Sequence, residues 1–382
     1  MDAGVIGSAP VPPGHDPQHV AAEFSAKLAA RSRHVCFLTG AGTSRSAGLP
    51  DLAGLEAAVA ARVPDEVKPR VASLLEGRNL EEALSRLRRI ASLVAPDGAF
   101  DGFDLASASV TDAAMCAAII AEVTDADADL TAFLDFGSWA AGDYYRSPIE
   151  VFTVNYDSLV ERGLEAVSAL YFDGFVGALR GQFRPELVEA IPPKSVDGLP
   201  ASFVRLWKLH GSITWAIETT SDGHRSVVRL GSPVGAGEAA AIYPSEEKYD
   251  ASRRVPFVVL MDRFRRALEE PETLLVVSGY SFGDQHLNEV VFDAARRRPR
   301  SETVVCCFGD LAPAAAEIAT RVRNVAVLGA KEAIIGGVRG AWVPLDHDVL
   351  DVWADGKFLL GDFAHLAHFL GGARIGSNDL GA

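Results

Sequence analysis

Residues 37–55 read FLTGAGTSRSAGLPDLAGL: an apolar approach, then three glycines, three hydroxyls and an arginine, then a Leu-Pro-Asp turn. HVCFLTG just before and within it has the length and composition of a buried strand ending in glycine, and EFSAKLAARSR at 23–33 has helical apolar spacing. Gly40-Ala41-Gly42 places minimal side chains where a strand turns into a helix. Backbone N–H groups can approach a pyrophosphate there, with Thr43, Ser44 and Arg45 adding hydroxyls and a positive charge. The third glycine falls at Gly48, so the stretch is not GxGxxG. No acidic residue follows about twenty positions on at the end of a convincing second strand, which weakens a redox dinucleotide reading.

Further units of strand, turn and helix follow. IEVFTVNYD at 149–157 precedes the helical SLVERGLEAV, and RLWKLHGSITWAI at 205–217 is rich in β formers. ETLLVVSGYSFGDQHLNEVVFDAARRR gives strand, turn and helix, after a helix at 254–270, and 303–309 and 322–329 read as further strands. Repetition of this unit predicts an α/β fold: a Rossmann-like parallel sheet with helices on both faces. Residues 56–145 read as mostly helical, with NLEEALSRLRRIASLV the clearest amphipathic run, and are expected as a helical insertion between the first two strands. Residues 171–204 look loop-rich, and 218–245 suggest a small antiparallel excursion. The expected organisation is a flexible leader at 1–17, a nucleotide-binding domain at 18–55 and 146–330, the insertion, and a C-terminal segment at 331–382. The apolar runs AIIGGVRGAWVPL and FLLGDFAHLAHFL in that last segment suggest either core packing or an oligomer or partner surface.

Composition narrows the function classes. The chain has 382 residues, 48% of them hydrophobic and 23% charged, and no window reaches the roughly 18 uninterrupted apolar residues of a membrane span. Its first twenty residues lack the form of a signal peptide, so a cytoplasmic location is expected. The formal net charge of −15 argues against direct nucleic-acid binding. RLRRI at 86–90 and RRRPR at 296–300 read as solvated helix surfaces. Cys36, Cys116, Cys306 and Cys307 contain no CxxC pair, which argues against structural zinc. TDADADL at 124–130 lacks the glycine and closing Glu of a calcium loop, leaving a helix start or solvated turn.

Three more clusters share strand ends. In FTVNYDSLVE, Asn155 and Asp157 fall on one side of a terminating strand and Tyr156 on the other. They either enter a ligand crevice or merely close a turn and cap the next helix. In KLHGSI, His210 stands at a strand end with room beside it, as a structural imidazole or as a group that moves a proton near neutral pH. In VVSGYSFGDQHLN, Gly279, Ser281 and Gly283 make a second small-residue turn, and Asp284 can cap the helix that follows.

Taken in order, these four segments resemble the sirtuin signatures. FLTGAGTSRSAGLPD resembles the glycine signature, TVNYD the asparagine signature, LHGS the catalytic-histidine signature, and SGYSFGDQHLN the form usual in the bacterial sirtuin-like branch. The resemblance spans roughly residues 20–310. It implies a Rossmann-like domain that binds NAD and cleaves it at the nicotinamide–ribose bond. Residue by residue, it implies that Gly40, Ala41, Gly42 and Ser44 cradle phosphate and ribose, and that Pro50 and Asp51 lie near the nicotinamide. It further implies that Asn155 and Asp157 orient ribose and nicotinamide, that His210 is catalytic, and that Gly279 and Ser281 form the adenosine-side turn. Two departures matter: Leu52-Ala53 stand where protein deacylases usually have Phe-Arg, and the four-cysteine zinc module after the histidine is missing. The combination resembles bacterial sirtuin-like NAD hydrolases of antiphage defence. That resemblance implies abortive-infection activity and control by a partner such as a hexameric ATPase; the apolar C-terminal runs add the expectation of a homo-oligomer. The alternatives are an NAD-dependent protein deacylase and a non-catalytic NAD-sensing subunit.

Overall fold

The computed structural model describes residues 14–95, 97–124, 127–142, 145, 147–189, 203–219, 225–235, 239–242 and 255–372. Residues 1–13 of the expected leader lie outside this set. So do 125–126 of the acidic run, 190–202 of the loop-rich stretch, parts of the antiparallel excursion, and 373–382 of the C-terminal segment.

The chain enters through α1 (Pro17–Ala29), whose N-cap Asp16 accepts from the Gln18 and His19 amides. His15 bridges to Trp342, so residues 14–17 are part of the fold rather than of a leader. Next come β1 (Val35–Thr39), the short α2 (Ala41–Ser44), and a helical run comprising α3 (Leu52–Arg62), α4 (Lys68–Leu75), α5 (Leu80–Leu93), α6 (Leu105–Val123) and α7 (Thr131–Ala140). β2 (Glu150–Thr153) and α8 (Leu159–Ala166) follow. Five shorter pieces succeed them: β3 (Tyr171–Phe172), β4 (Phe175–Val176), β5 (Arg180–Phe183), α9 (Pro185–Val188) and β6 (Val204–Lys208). β7 (Gly211–Thr219), β8 (Arg225–Leu230) and β9 (Ala239–Ile242) lead into α10 (Phe257–Glu269), β10 (Leu274–Ser278), α11 (Gln285–Arg297), β11 (Glu302–Cys306), α12 (Pro313–Ala319) and β12 (Val325–Leu328). The chain then forms β13 (Glu332–Ile335), β14 (Val338–Ala341), β15 (Trp353–Ala354), β16 (Lys357–Phe358) and α13 (Phe363–Gly372).

The main sheet has nine strands in the order β14-β13-β12-β11-β10-β1-β2-β6-β3. All pairings from β3 to β12 are parallel; β13 and β14 add an antiparallel edge hairpin. The turn of that hairpin is Gly336-Gly337, both at positive φ, as a two-residue turn between twisted strands requires. The expected α/β architecture is therefore observed. Strand residues alternate between two cores: Val35 and Phe37 join one with α1, α3 to α8 and α13, whereas Cys36 and Leu38 join the other with α10, α11 and α12. Both faces are thus dry, which explains why the strands read as continuous apolar runs.

The helices of 52–140 share the first of these cores with the sheet. Phe136 and Trp139 of α7 meet Phe37 edge-on at 5.1 and 5.4 Å. α6, at 19 residues, is long and apolar enough to cross a membrane by length and composition. Here it packs on α3, α4 and α5, with Asp112 paired to Arg88 and Glu122 to Arg62. The run FLLGDFAHLAHFL turns its apolar side chains inward: Leu360, Phe363, Leu366 and Leu370 are buried, with Phe363 5.0 Å from Phe133. Each such side chain contributes roughly 1.5–3 kcal/mol of burial.

A second sheet, β4-β5-β8-β7-β9, is antiparallel. It is larger than the excursion expected at 218–245, because β4, β5 and β7 also belong to it. RLWKLHGSITWAI, a single β-rich stretch by sequence, is cut into two strands of different sheets at Leu209–His210. Gly211, at φ +92°, supplies the backbone conformation that the change of direction demands.

Candidate active site

The register of the parallel sheet sets the site. Thr39 of β1 is level with Ser278 of β10 and with Thr153 of β2, and Thr153 is level with Lys208 of β6. The glycine turn, Asn155, His210 and Gly279 therefore leave four adjacent strands at one carboxyl edge. The chain also reverses its order of strand addition between β1 and β10, which is where open α/β sheets bind ligands.

Two turns interlock there. The Gly42 amide donates to the Gly279 carbonyl at 2.9 Å, and the Gly40 amide donates to Ser278 O at 3.1 Å. A Cβ at Gly40 or Gly42 would stand 2.6–2.7 Å from backbone atoms of Gly279 and Tyr280; one at Gly279, whose φ is +64°, would stand 2.3 Å from the Thr43 nitrogen. Turn-to-turn contact thus requires these three glycines. Ala41 lies between the two glycines at the start of α2. Gly42 and Thr43 spend their amides inside the structure, Thr43 N on Gly40 O at 2.9 Å.

Asn155 joins the second cluster to the first. Its Nδ2 shares two hydrogens among three acceptors, Gly40 O at 3.0 Å, Thr43 Oγ1 at 3.1 Å and Ser44 Oγ at 2.9 Å. Because a carbonyl can only accept, the Gly40 contact fixes the amide orientation and turns Oδ1 the other way. The Ser44 hydroxyl donates in turn to Asp157 Oδ2 at 2.7 Å, and Asp157 Oδ1 accepts from the Leu159 amide at 3.0 Å. Asp157 is therefore both a local turn former and a partner of the glycine turn. The strand itself ends at Thr153, earlier than expected. Asn155 and Asp157 share a side because the chain turns, Asn155 N donating to Thr153 Oγ1, rather than through strand alternation.

His210 is buried, and its Nε2 lies 3.3 Å from Asp284 Oδ2. Asp284 Oδ1 caps α11, accepting from His286 N at 2.8 Å and Leu287 N at 3.3 Å. The sequence suggested the cap but not the imidazole contact. Lys208, also buried, points its Nζ to Asp157 O and to Glu161 at 2.9 Å. Burial pushes the Glu161 carboxyl up from its ordinary value, with Lys208 opposing the shift. Ser278 Oγ is buried with no hydrogen-bond partner among the described residues, at the edge where the two turns meet. Sequence reasoning missed it, since one serine at a strand end carries no signal.

The remaining expected residues stand further out. Asp51 caps α3 through the Gly54 amide at 2.9 Å and pairs with Arg45 at 3.3 Å, while Arg45 lies over the Phe308 ring. Pro50 precedes it, and Leu52-Ala53 already belong to α3. Ser281 is exposed on the β10–α11 turn.

The cysteines are dispersed: Cys36 in β1, Cys116 in α6, and Cys306 and Cys307 at the end of β11. Burial raises the thiol of Cys116 to about 12. His34, Glu150 and Glu270 place ligand atoms within 4.8 Å of one another, but the Arg263 guanidinium bonds both carboxylates and supplies the positive charge there. The basic stretches are ion-paired at Arg86, Arg88, Arg296 and Arg297.

The family model of the SIR2-like domain matches residues 149–324, which include three of the four clusters. No curated protein matches the chain. Similar solved structures include a Sir2 homologue mutant in complex with ADP-ribose, at 12% identity and a TM-score of 0.44, covering 94% of this chain and 98% of that one. A second such mutant complex shows 14% identity and a TM-score of 0.40 over the same shares. Sir2Tm bound to a propionylated peptide shows 15% identity and a TM-score of 0.33, over 76% of this chain and 86% of that one.

Proposed function

We propose that this protein is an NAD hydrolase that cleaves the nicotinamide–ribose bond to release nicotinamide and ADP-ribose. The observation that carries the reading is the clasp of Asn155 on the glycine turn, one strand away from His210 at the same carboxyl edge. The polar groups at this edge suit a ribose and a pyrophosphate: the buried Ser278 hydroxyl, the Asn155 amide oxygen as an acceptor and an imidazole, set among small-residue turns. Pro50, Asp51 and Ser281 would line the outer parts of the substrate site, and Gly40, Ala41, Gly42, Ser44, Asp157 and Gly279 its floor.

Pyridinium is already a good leaving group. The protein's task is to stabilise an oxocarbenium-like ribose and to aim an acceptor at it. Asn155 Oδ1 accepts from a ribose hydroxyl or the attacking water, and His210 takes the proton released. Asn155 cannot drift, because its amide nitrogen is held at three points. Fixed dipoles of this kind are commonly worth about 3 kcal/mol each, roughly a hundredfold in rate.

Water as acceptor is supported by Leu52-Ala53 entering α3 directly and by the dispersal of the cysteines, which both depart from the protein-deacylase pattern. Action in the cytoplasm as an antiphage effector, as a homo-oligomer held in check by an assembly partner, rests on the resemblance of the four signatures. Product analysis separates the readings. Incubated with NAD and no peptide, the purified protein, alone or with its assembly partner, is expected to release nicotinamide and ADP-ribose in equal amounts. Strict dependence on an acyl-lysine peptide would make it a deacylase, and NAD binding without turnover would make it a sensing subunit.

A further inference from the structure

We propose that Asp284 is a positioning residue for His210: its carboxylate holds the imidazole in one orientation and one tautomer, Nε2–H toward Oδ2. The proposal rests on the NAD-cleaving reading for its kinetic consequence, but not for its geometry.

Asp284 does more than a cap requires. One acceptor oxygen suffices to cap a helix, and Ser or Asn does it as well as Asp. Here Oδ1 alone serves both amides of α11, at 2.8 and 3.3 Å, while Oδ2 faces an imidazole 74 residues away in sequence. Both side chains are nearly sealed, at 6–7% exposure. Burying a carboxylate is costly unless its oxygens are bonded, so an aspartate at this position needs a reason beyond capping.

The turn that carries Asp284 is held in place. The Tyr280 hydroxyl shares its one proton between Asp284 O and Asn288 Oδ1, both at 3.1 Å, and Asn288 Nδ2 donates to Phe282 O at 2.8 Å. Phe282 sits at φ +59°, a conformation unfavourable for an aromatic residue, and it persists where surrounding contacts over-determine it. The same turn interlocks with Gly40 and Gly42, so the carboxylate is indexed to the glycine turn as well as to His210.

The chemical consequence follows from the ring. A carboxylate that accepts from Nε2–H leaves the lone pair on Nδ1, and stabilises the imidazolium formed when Nδ1 accepts a proton. The proton moves from a ribose hydroxyl or water to Nδ1, and the carboxylate stays ionised. Among the described residues, the neighbouring charged groups have partners of their own: Lys208 with Asp157 O and Glu161, Asp157 with Ser44 and the Leu159 amide, and His286, exposed, with Glu289.

Asp284→Asn retains an acceptor for the cap but turns a donor or a neutral oxygen toward the ring; Asp284→Ser retains a cap and removes the contact. Expected for both is a kcat for nicotinamide release about a hundredfold lower, KM for NAD changed by no more than about twofold, and an acid limb of the kcat/KM profile displaced to lower pH. Thermal midpoints close to the parent are expected, so a kcat unchanged in both variants, or lost only in step with unfolding, overturns the proposal. Long-range 1H–15N spectra of the His210 ring give an independent readout: Nε2 protonated in the parent, and that signature lost in Asp284→Asn. If the parent protein releases no nicotinamide, the NAD reading fails, and the spectra still decide the dyad. A parent ring protonated on Nδ1 alone overturns it.

Discussion

The same four central strands carry polar side chains at both ends, and the two ends are built differently. At the amino end, His34 precedes β1, Glu150 opens β2, Arg205 lies in β6, and Thr273 precedes β10. Both oxygens of Glu150 are used: Oε1 by His34 at 3.0 Å and by Arg263, Oε2 by Trp207 Nε1 at 2.7 Å and Arg263 Nε at 2.8 Å. Arg205 stands 3.7 Å away, and Glu270 bonds Arg263 from outside. This is a closed network of charge, sealed under the sheet. At the carboxyl end the groups are glycines, hydroxyls, Asn155, Asp157, the Lys208–Glu161 pair and the His210–Asp284 pair, set on and beside the turns where strand order reverses. Buried polar chemistry is therefore no mark of function by itself; the amino end closes its charges on one another, whereas the carboxyl end stands at the reversal of strand order, the place where open α/β sheets bind ligands.

The comparison breaks most visibly at Glu150. Glu150→Ala removes the buried carboxylate on which Arg263, His34 and Trp207 converge, and breaking such a buried set typically costs about 3–5 kcal/mol. Denaturant unfolding is expected to show that loss, with catalysis altered only as far as the fold is lost. A change below about 1 kcal/mol would mean that the amino-end network is not a structural floor.

The network also predicts an acid response. Burial opposes the Glu150 carboxylate most strongly, but hydrogen bonds and charges from Arg263 and His34 outweigh it and hold the group at about 2, against an ordinary 4.5. A depressed carboxyl contributes stability that is fully present above its unfolded value and lost as pH falls through its folded one. Stability should decline between pH 4.5 and about 2, and Glu150→Gln should flatten that decline. Parallel slopes in parent and variant would remove Glu150 from the account.

The smallest effect is expected at Arg45, whose pairing with Asp51 is half exposed. Arg45→Ala should change stability by less than about 1 kcal/mol, as exposed ion pairs do. If the guanidinium meets the substrate's phosphates, KM for NAD rises severalfold while kcat holds. An unchanged KM would assign Arg45 to the surface alone.

Much of this was legible in the sequence. Six parallel strands announced themselves as apolar runs that end in turn residues, and the four clusters fell at their ends. The cut in RLWKLHGSITWAI was not legible, because β propensity does not say to which sheet a residue belongs; only Gly211 hinted at it. Nor was the extent of the second sheet, whose short strands β4 and β5 lie in a stretch rich in turn formers. The amino-end network stayed hidden because its members are spread over His34, Glu150, Arg205, Arg263 and Glu270, which meet only after the sheet has formed. Asp284 was readable as a cap, a local interaction; its bond to His210 is set by the adjacency of distant loops. The glycines were read as a phosphate cradle, and the structure adds that turn-to-turn contact alone demands Gly40, Gly42 and Gly279.

The central claim is that the carboxyl-end clusters form one site that breaks the nicotinamide–ribose bond. Nicotinamide release from NAD, measured for the parent, Asn155→Ala and His210→Ala under the conditions in which the parent is active, tests it most directly. Each variant is expected to remain folded and to lose about a hundredfold in rate. Release at the parent rate by both variants would contradict the assignment.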